Sequence, residues 1–486
     1  METLYKSTRS AGGTVTASQA ILKGLADDGG LFVPTSIPSL DVSLEEIAGM
    51  TYQETAYTVM KQFLTDFTEE ELKNCIAKAY DSKFDTKEIA PLVEKDGTYY
   101  LELFHGATIA FKDMALSILP HLLTTSARKN HIKNQIVILT ATSGDTGKAA
   151  LAGFADVEGT NIIVFYPKHG VSAIQERQMV TQKGANTSVV GITGNFDDAQ
   201  SGVKAMFNNK DLARAMDAKG YQFSSANSIN IGRLVPQVVY YVYAYTRLLG
   251  QGVIRKDEKV NFVVPTGNFG NILAAFYAKN MGIPVGKLIC ASNENKVLFD
   301  FFETGVYDRN REFILTSSPS MDILISSNLE RLLYHVSGSS AKVAGWMADL
   351  AKTGMYTVDA ETLARIQASF ACGCADDTAG AAEINARFEQ DNYLCDTHTA
   401  VAFCVAETVR SAAPMVVLST ASPYKFPRDV LAALGETAPE SDFAAMAALN
   451  VKTGCPVPAS LSVLNTLPVR FNTVIEPAAI RDAALK

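Results

Sequence analysis

The chain is expected to fold as an α/β protein of two lobes with largely parallel sheets, preceded by a mainly helical N-terminal domain. Three observations carry that expectation. Beyond Thr98, short apolar runs alternate with amphipathic segments, the signature of strands covered by helices. The apolar runs fall into two groups separated by one long helical stretch, Ile231 to Leu249, which suggests two lobes with a cleft between them. Two glycine-containing loops, TSGDTG at Thr142 to Gly147 and GNFGN at Gly267 to Asn271, each lie between an apolar run and a helical one. The carboxyl ends of strands in open α/β sheets are where ligands bind.

Taken in order, residues 1–97 begin with polar turns around Asp28, Gly29, Gly30, Pro34 and Pro38 and continue into two helical patterns. In the second, Glu69, Glu70 and Glu71 stand at the positive end of the helix dipole, while Leu72, Cys75, Ile76 and Ala79 recur at helical spacing. No phosphate-type loop occurs here, so the block reads as a packing domain. Residues 98–430 form the two lobes. Strands are expected at Ile136 to Leu139, Asn161 to Tyr166, Ser188 to Ile192, Val260 to Val264, Lys287 to Ala291 and Met415 to Leu418. Helices are expected at Lys148 to Ala155, Ala199 to Asn208, Ile231 to Leu249 and Asn271 to Lys279; in the last, Ile272, Ala275 and Phe276 share a sheet-covering face. Residues 431–486 read as a C-terminal extension packed on the lobes.

The bulk composition excludes several classes. With 486 residues, a formal net charge of -8 and no basic stripe, the chain lacks the Lys and Arg clusters that a nucleic-acid surface demands. No apolar run reaches the ~18 residues of a membrane span, and METLYKSTRSAGG has no apolar signal core, so a soluble, cytoplasmic protein is expected. Seven cysteines, an odd number without regular spacing, read as reduced thiols. Of the six histidines only His398 lies near cysteines, Cys395 and Cys404, and Cys372-Gly-Cys374 lacks paired zinc spacing, so no metal is expected. Tyr240, Tyr241, Tyr243 and Tyr245 point to several faces of one helix and read as core packing, since a base-stacking surface would need a basic groove beside it.

Three stretches carry the chemistry. Lys112 lies in LFHGATIAFKDMA, after a glycine-containing turn; taken alone, such a lysine reads as a surface charge. In GNFGN the glycines let backbone N–H groups converge and the helix start adds partial positive charge, so a phosphate can be held without a lysine. The alternative is a turn that binds nothing. The loop is neither G-x-G-x-x-G nor a Walker sequence, which argues against a dinucleotide enzyme or a P-loop NTPase. TSGDTG offers hydroxyls and backbone donors suited to a carboxylate or phosphate, or else is an ordinary N-cap by Ser143 or Thr146.

HGATIAFKD, TSGDTG and PTGNFGN, in this order, resemble the fold type II (tryptophan synthase β-like) enzymes that use pyridoxal phosphate (PLP), and within them the threonine synthase family. YKSTR and DGGLFVP are similar to that family's opening, SANSINIGRLVPQ to its middle, SPSMDI and SSNLER to its later part, and STASPYKFP to its closing cofactor segment. The N-terminal block is what separates the longer type of threonine synthase from its shorter relatives.

The resemblance implies that Lys112 holds pyridoxal 5'-phosphate as a Schiff base. Loss of its proton would be promoted by an apolar shell of Phe104, Ile109, Ala110 and Phe111. It implies that Gly267, Asn268, Phe269, Gly270 and Asn271 hold the cofactor phosphate and that Thr420 offers its hydroxyl to the pyridine nitrogen. Ser143 and Thr146 would bind the substrate carboxylate. Asp145 stands where many fold relatives carry Asn beside the cofactor's phenolic oxygen. Two such anions would repel by several kcal/mol at an effective dielectric of about 20, so Asp145 is expected to be protonated or turned toward the imine nitrogen. Ala107 replaces the family's usual Pro and is expected to loosen the loop.

The implied reaction converts O-phospho-L-homoserine and water to L-threonine and phosphate, the work of a PLP-dependent carbon–oxygen lyase acting on a phosphate ester in threonine biosynthesis. It needs a second anion site, assigned to Arg233 with Ser225 and Asn227, and more weakly to Ser172 and Gln175. The alternatives are Arg233 as an exposed charge, another fold type II lyase such as a serine/threonine dehydratase or β-replacement synthase, and a catalytically silent metabolite-binding paralogue. A monomer or homodimer is expected.

Overall fold

The computed structural model describes residues 2–485. The N-terminal block pairs β1 (Tyr5–Ser7) antiparallel with β2 (Phe32–Pro34) and adds four helices, Ala17–Lys23, Leu44–Ala48, Tyr52–Phe63 and Glu69–Ala79. Each helix opens with a reciprocal capping box, Thr16 with Gln19, Ser43 with Glu46, Thr51 with Glu54 and Thr68 with Glu71. Leu72, Cys75, Ile76 and Ala79 are buried together, as their spacing predicts.

A hairpin of β3 (Leu92–Lys95) and β4 (Thr98–Glu102) straddles residue 97 and joins the sheet of the second lobe. The first lobe is built on β5 (Gln135–Ala141), β6 (Thr160–Pro167), β7 (Thr187–Ile192) and β8 (Tyr221–Ser224). Next come β9 (Val260–Pro265), β10 (Val285–Ser292), a small ribbon of β11 (Val306–Asp308) with β12 (Met355–Thr357), β13 (Phe370–Cys374), β14 (Met415–Ser419) and β15 (Val474–Ile475). The expected strands are all present, a residue or two longer at their ends. The edge strands β8 and β13 were not among those expected; YQFS and FACGC lack the β-branched apolar run that marks a central strand.

Strand order locates the ligand-binding ends. The first-lobe sheet runs β15-β7-β6-β5-β8 and is parallel throughout; the second runs β13-β10-β9-β14-β4-β3 and is parallel except for β3. In the first, the chain steps outward from β5 to β7 and then returns to place β8 on the other side of β5. In the second, it steps outward from β9 to β13 and returns to place β14 on the other side of β9. Each reversal opens a crevice at the strands' carboxyl ends, the site where this architecture binds ligands. TSGDTG follows β5, GNFGN follows β9 and Thr420 follows β14, so the loops expected to carry the chemistry sit at the two reversals.

The helix Ile231–Gly250 is apolar on nearly every face and buried almost throughout, as a central helix must be. Asn230 caps it by accepting from Gly232 N–H at 2.9 Å while donating to the Ile21 carbonyl at 2.9 Å, which ties the helix start to the N-terminal block. One continuous core includes Tyr5, Phe63, Tyr240 and Val264, so the N-terminal block shares the core of the lobes. The C-terminal residues Leu449, Leu461 and Leu464 pack in a second cluster with β14 and the helix Thr397–Thr408. Among the described residues no helix is long and apolar enough to cross a membrane.

Candidate active site

The Lys112 loop is clamped to the end of β14. Leu103 N–H donates to the Ser419 carbonyl at 2.9 Å, Phe111 N–H to that of Thr420 at 2.8 Å, and Ser422 N–H to that of Ile109 at 3.1 Å. Asp113, buried directly after the lysine, accepts from Thr108 N–H at 2.8 Å and from its hydroxyl at 2.5 Å. Gly106 is required here, since a Cβ would lie 2.5 Å from that of Asp113. Ile109 has φ +58°, a left-handed conformation that a β-branched residue adopts only when its surroundings impose it. These ties correct the looseness expected from Ala107: that residue is exposed, and the loop is held at Thr108 on one side and Phe111 on the other.

Lys112, 17% exposed, faces Asp145 at 3.7 Å. Asp145 opens the helix Asp145–Phe154 and is 4% exposed, yet it is surrounded by donors. Its Oδ1 accepts from Gln175 Nε2 at 3.0 Å and lies 3.3 Å from Lys148 Nζ; its Oδ2 accepts from the Ser320 hydroxyl at 2.6 Å and from Lys425 Nζ. Burial alone would push the Asp145 carboxyl up, but Lys425, Lys148 and Lys112 outweigh it and hold it well below the usual carboxylate range. Asp145 is therefore an anion beside the Lys112 amine, so of the two arrangements expected, protonated or turned toward the imine nitrogen, the structure argues against the first. The sequence gives no sign of Lys148 and Lys425, whose charges compensate that of Asp145.

Lys112 itself is brought down to about 8, by burial first and then, against the pull of Asp145, by Lys425, Arg233 and Lys148. The apolar shell expected to do this is incomplete. Ile109 and Ala110 are buried but Phe104 and Phe111 only partly so, and neighbouring cations supply part of the effect.

The turn after β9 holds no charged side chain. Phe269 adopts a left-handed φ of +65° and its ring is buried against Phe302 and Phe370, so its backbone turns the chain into the helix Gly270–Asn280. Gly267 leaves room for the Ser320 carbonyl oxygen, which would lie 2.6 Å from a Cβ. Asn268, exposed, accepts at its carbonyl from Asn328 N–H and Nδ2, both at 3.0 Å. Asn271 is buried; its Oδ1 accepts from the hydroxyls of Tyr240 at 2.5 Å and Tyr241 at 2.7 Å, which leaves its Nδ2 without a partner. Two tyrosines expected only to pack thus orient a site residue.

After β5, the hydroxyl of Thr142, not Ser143 or Thr146, closes the turn by accepting from Gly144 and Gly147 N–H at 2.9 Å each. Ser143 stays exposed and Thr146 partly so. Beyond β8, Arg233 is 3% exposed, which excludes the surface-charge alternative. Its Nη1 donates to the Ala226 carbonyl at 2.9 Å, its Nε has no partner, and burial lowers it to about 10. Ser225 is partly buried and accepts from Asn227 N–H at 3.2 Å, while Asn227 is exposed.

Sequence reasoning missed four groups. Lys148 is buried, donating to the Thr108 carbonyl at 3.0 Å, and Lys425 is 2% exposed. Ser320 lies in the turn Pro319–Met321, whose N–H donates to His398 Nε2 at 3.1 Å; His398 in turn contacts Asp396 at 2.6 Å through Nδ1. That geometry puts the histidine proton on Nδ1. The available signal was that SPSMDI and STASPYKFP matched as blocks, with Ser320 and Lys425 inside them. Among the described residues no group of His, Cys, Asp or Glu converges in a metal-binding arrangement, and all seven cysteines are free.

Three family descriptions match the chain in succession. Residues 4–80 match the family described as threonine synthase N terminus, 88–406 the pyridoxal-phosphate dependent enzymes, and 399–483 the family described as threonine synthase, C-terminal. Human "Threonine synthase-like 1" is 39% identical over 431 residues, 86% of this chain and 58% of its own, so the chain spans little more than half the length of that relative. "Threonine synthase" of Saccharomyces cerevisiae is 36% identical over 459 residues, 87% of each chain. The crystal structure of PLP-bound threonine synthase from Brucella melitensis superposes with a TM-score of 0.88 at 36% identity, covering 99% of this chain and 98% of that one. Threonine synthase from Escherichia coli superposes at 0.77 with 26% identity, covering 99% of each.

Proposed function

Because the chain belongs to the threonine synthase family of pyridoxal-phosphate-dependent enzymes, we propose that it converts O-phospho-L-homoserine and water to L-threonine and phosphate. What supports this reading is a pair of candidate anion sites, an uncharged backbone turn beside the unpartnered Asn271 Nδ2 and a buried arginine, with an unused Nε, whose charge acts on Lys112. A reaction that expels phosphate while keeping a phosphorylated cofactor needs both.

The residues fit that cofactor. Asn271 Nδ2 is a buried donor without a partner, and the first-turn N–H groups of the helix Gly270–Asn280 have no intrahelical acceptors. Gly267, Asn268, Phe269, Gly270 and Asn271 would hold the phosphate, Thr420 the pyridine nitrogen and Lys112 the aldehyde. The cofactor supplies an aldehyde that joins amines and a ring that takes up the electrons released when a neighbouring carbon loses its proton.

The protein's own part is proton handling and placement. Lys112, lowered to about 8, is neutral in a substantial fraction near physiological pH and so serves as nucleophile and then as base for the Cα and Cβ protons. Ser143, Thr146 and the free N–H groups at the start of the helix Asp145–Phe154 would hold the substrate carboxylate. Arg233, with Ser225 and Asn227, would grip the leaving phosphate, and its burial strengthens that contact. We include cytoplasmic residence with reduced thiols in the proposal, supported by the seven free cysteines.

The test is product analysis of the purified chain with O-phospho-L-homoserine, with and without added pyridoxal phosphate. Threonine and inorganic phosphate are expected in equal amounts. Ammonia from serine or threonine, without phosphate release from phosphohomoserine, would transfer the chain to the dehydratase reading.

A further inference from the structure

We propose that Lys425 is a positioning residue of this cavity: its ammonium group, bonded to Asp145 and to Ser320, fixes Asp145 as an anion beside Lys112 and weakens the pull of that anion on Lys112. The inference rests on Lys112 being the lysine that takes up the cofactor.

Lys425 comes from the segment after β14 and is more deeply buried than Lys112. Its Nζ donates to Asp145 Oδ2 and to the Ser320 hydroxyl at 3.0 Å. Ser320 donates to the same oxygen at 2.6 Å, and Gln175 and Lys148 occupy Oδ1. Every strong position on the carboxylate is taken before Lys112 arrives, and Lys112 stands at 3.7 Å, beyond hydrogen-bond reach. An unshielded aspartate there would bind the Lys112 ammonium and hold it charged, which suits neither a nucleophile nor a base. The charged groups facing Lys112 are Asp145, Lys425, Arg233 and Lys148. Behind them Asp113 acts on Lys148, while His398, lowered by burial and by Lys425 against the pull of Asp396 and Asp145, stays neutral.

The experiment measures the rate at which the full-length chain, stripped of cofactor, takes up pyridoxal phosphate as a function of pH, with borohydride trapping at Lys112. A parallel series acylates Lys112 with a limiting reagent and reads that peptide by mass. Lys425→Met removes a cation and is expected to move the midpoint of both profiles up by about one pH unit. Asp145→Asn removes the anion and is expected to move it down by a similar amount; the double variant returns close to the wild type, and Lys425→Arg stays there. A purely structural role gives no opposed shifts. An unmoved midpoint in Lys425→Met, or shifts of the same sign in the two single variants, overturns the proposal. If Lys425→Met does not fold, Asp145→Asn alone decides, since anything but a downward shift refutes it. A wild-type chain that takes up no cofactor condemns the functional reading and this one with it, whereas uptake at Lys112 with an unmoved midpoint in Lys425→Met condemns this one alone.

Discussion

The turn after β5 and the turn after β9 share a local design, an apolar strand that ends in small residues and passes directly into a helix, yet they manage charge in opposite ways. After β9 the residues in reach of an anion are backbone N–H groups, an uncharged Asn271 and two tyrosine hydroxyls behind it. After β5 a buried carboxylate is set among three lysines. The two meet at Ser320, whose carbonyl packs on Gly267 and whose hydroxyl binds Asp145. The difference teaches a division of labour. A site made of peptide dipoles has nothing to titrate and holds its ligand alike across pH, whereas a site made of coupled charges can set the proton affinity of one amine.

The most severe way to break the comparison is to remove the amine. Lys112→Ala is expected to lose at least about 10³-fold in turnover and to yield no borohydride-trapped cofactor peptide, while still binding the cofactor reversibly through the β9 turn. Substantial residual turnover would mean that another base does the work. Arg233→Ala should weaken phosphohomoserine by roughly 10- to 100-fold in KM, the worth of a charge-assisted contact of about 1.5–3 kcal/mol, with cofactor affinity nearly unchanged. An equal loss in both would merge the two anion sites into one.

The pH series sharpens the contrast directly. Lys112 is protonated below its value of about 8, so cofactor uptake should slow roughly tenfold per pH unit below that point and level off above it. The equilibrium grip on the phosphate, measured with a cofactor analogue lacking the aldehyde, should stay flat over the range where the phosphate remains a dianion. Gly267→Ala forces a Cβ against the Ser320 carbonyl and should weaken cofactor binding about tenfold, an overpacking cost of about 1–3 kcal/mol. Tyr241→Phe removes one of two bonds to Asn271 and should cost a factor of about two to five in the same titration.

The central strands, the small-residue turns and the helices after them were legible in the sequence because they are local patterns, whereas the strand orders that make the two reversals are set by long-range pairing. The GNFGN turn was read from such a pattern, whereas Lys112 and Arg233, each of which reads alone as a surface charge, were singled out by blocks similar to a known family. What stayed hidden was long-range. Lys425 reaches Asp145 across 280 positions, and Ser320 across 175, so no spacing announces either contact. Lys148 looked like an ordinary first-turn residue of its helix, and only the fold shows it turned inward to the Thr108 carbonyl. The charge of Asp145 was left open between two arrangements for the same reason: the sign of a buried group depends on neighbours that the chain brings from elsewhere.

The junction of the N-terminal block with the helix Leu329–Ser337 limits how this protein can be cut down. Glu330, 5% exposed, takes its partners from the Thr8 hydroxyl and the Arg9 guanidinium, and Arg331, fully enclosed, donates to the Phe32 carbonyl at 2.9 Å. A shortened chain that starts after residue 80 would take the Thr8 and Arg9 partners from Glu330 and the Phe32 carbonyl from Arg331, and would uncover the core that Tyr5 and Phe63 share with the lobes. Autonomy therefore belongs to the whole polypeptide, and engineering that treats the leading segment as a detachable tag would produce an aggregate in place of a smaller enzyme.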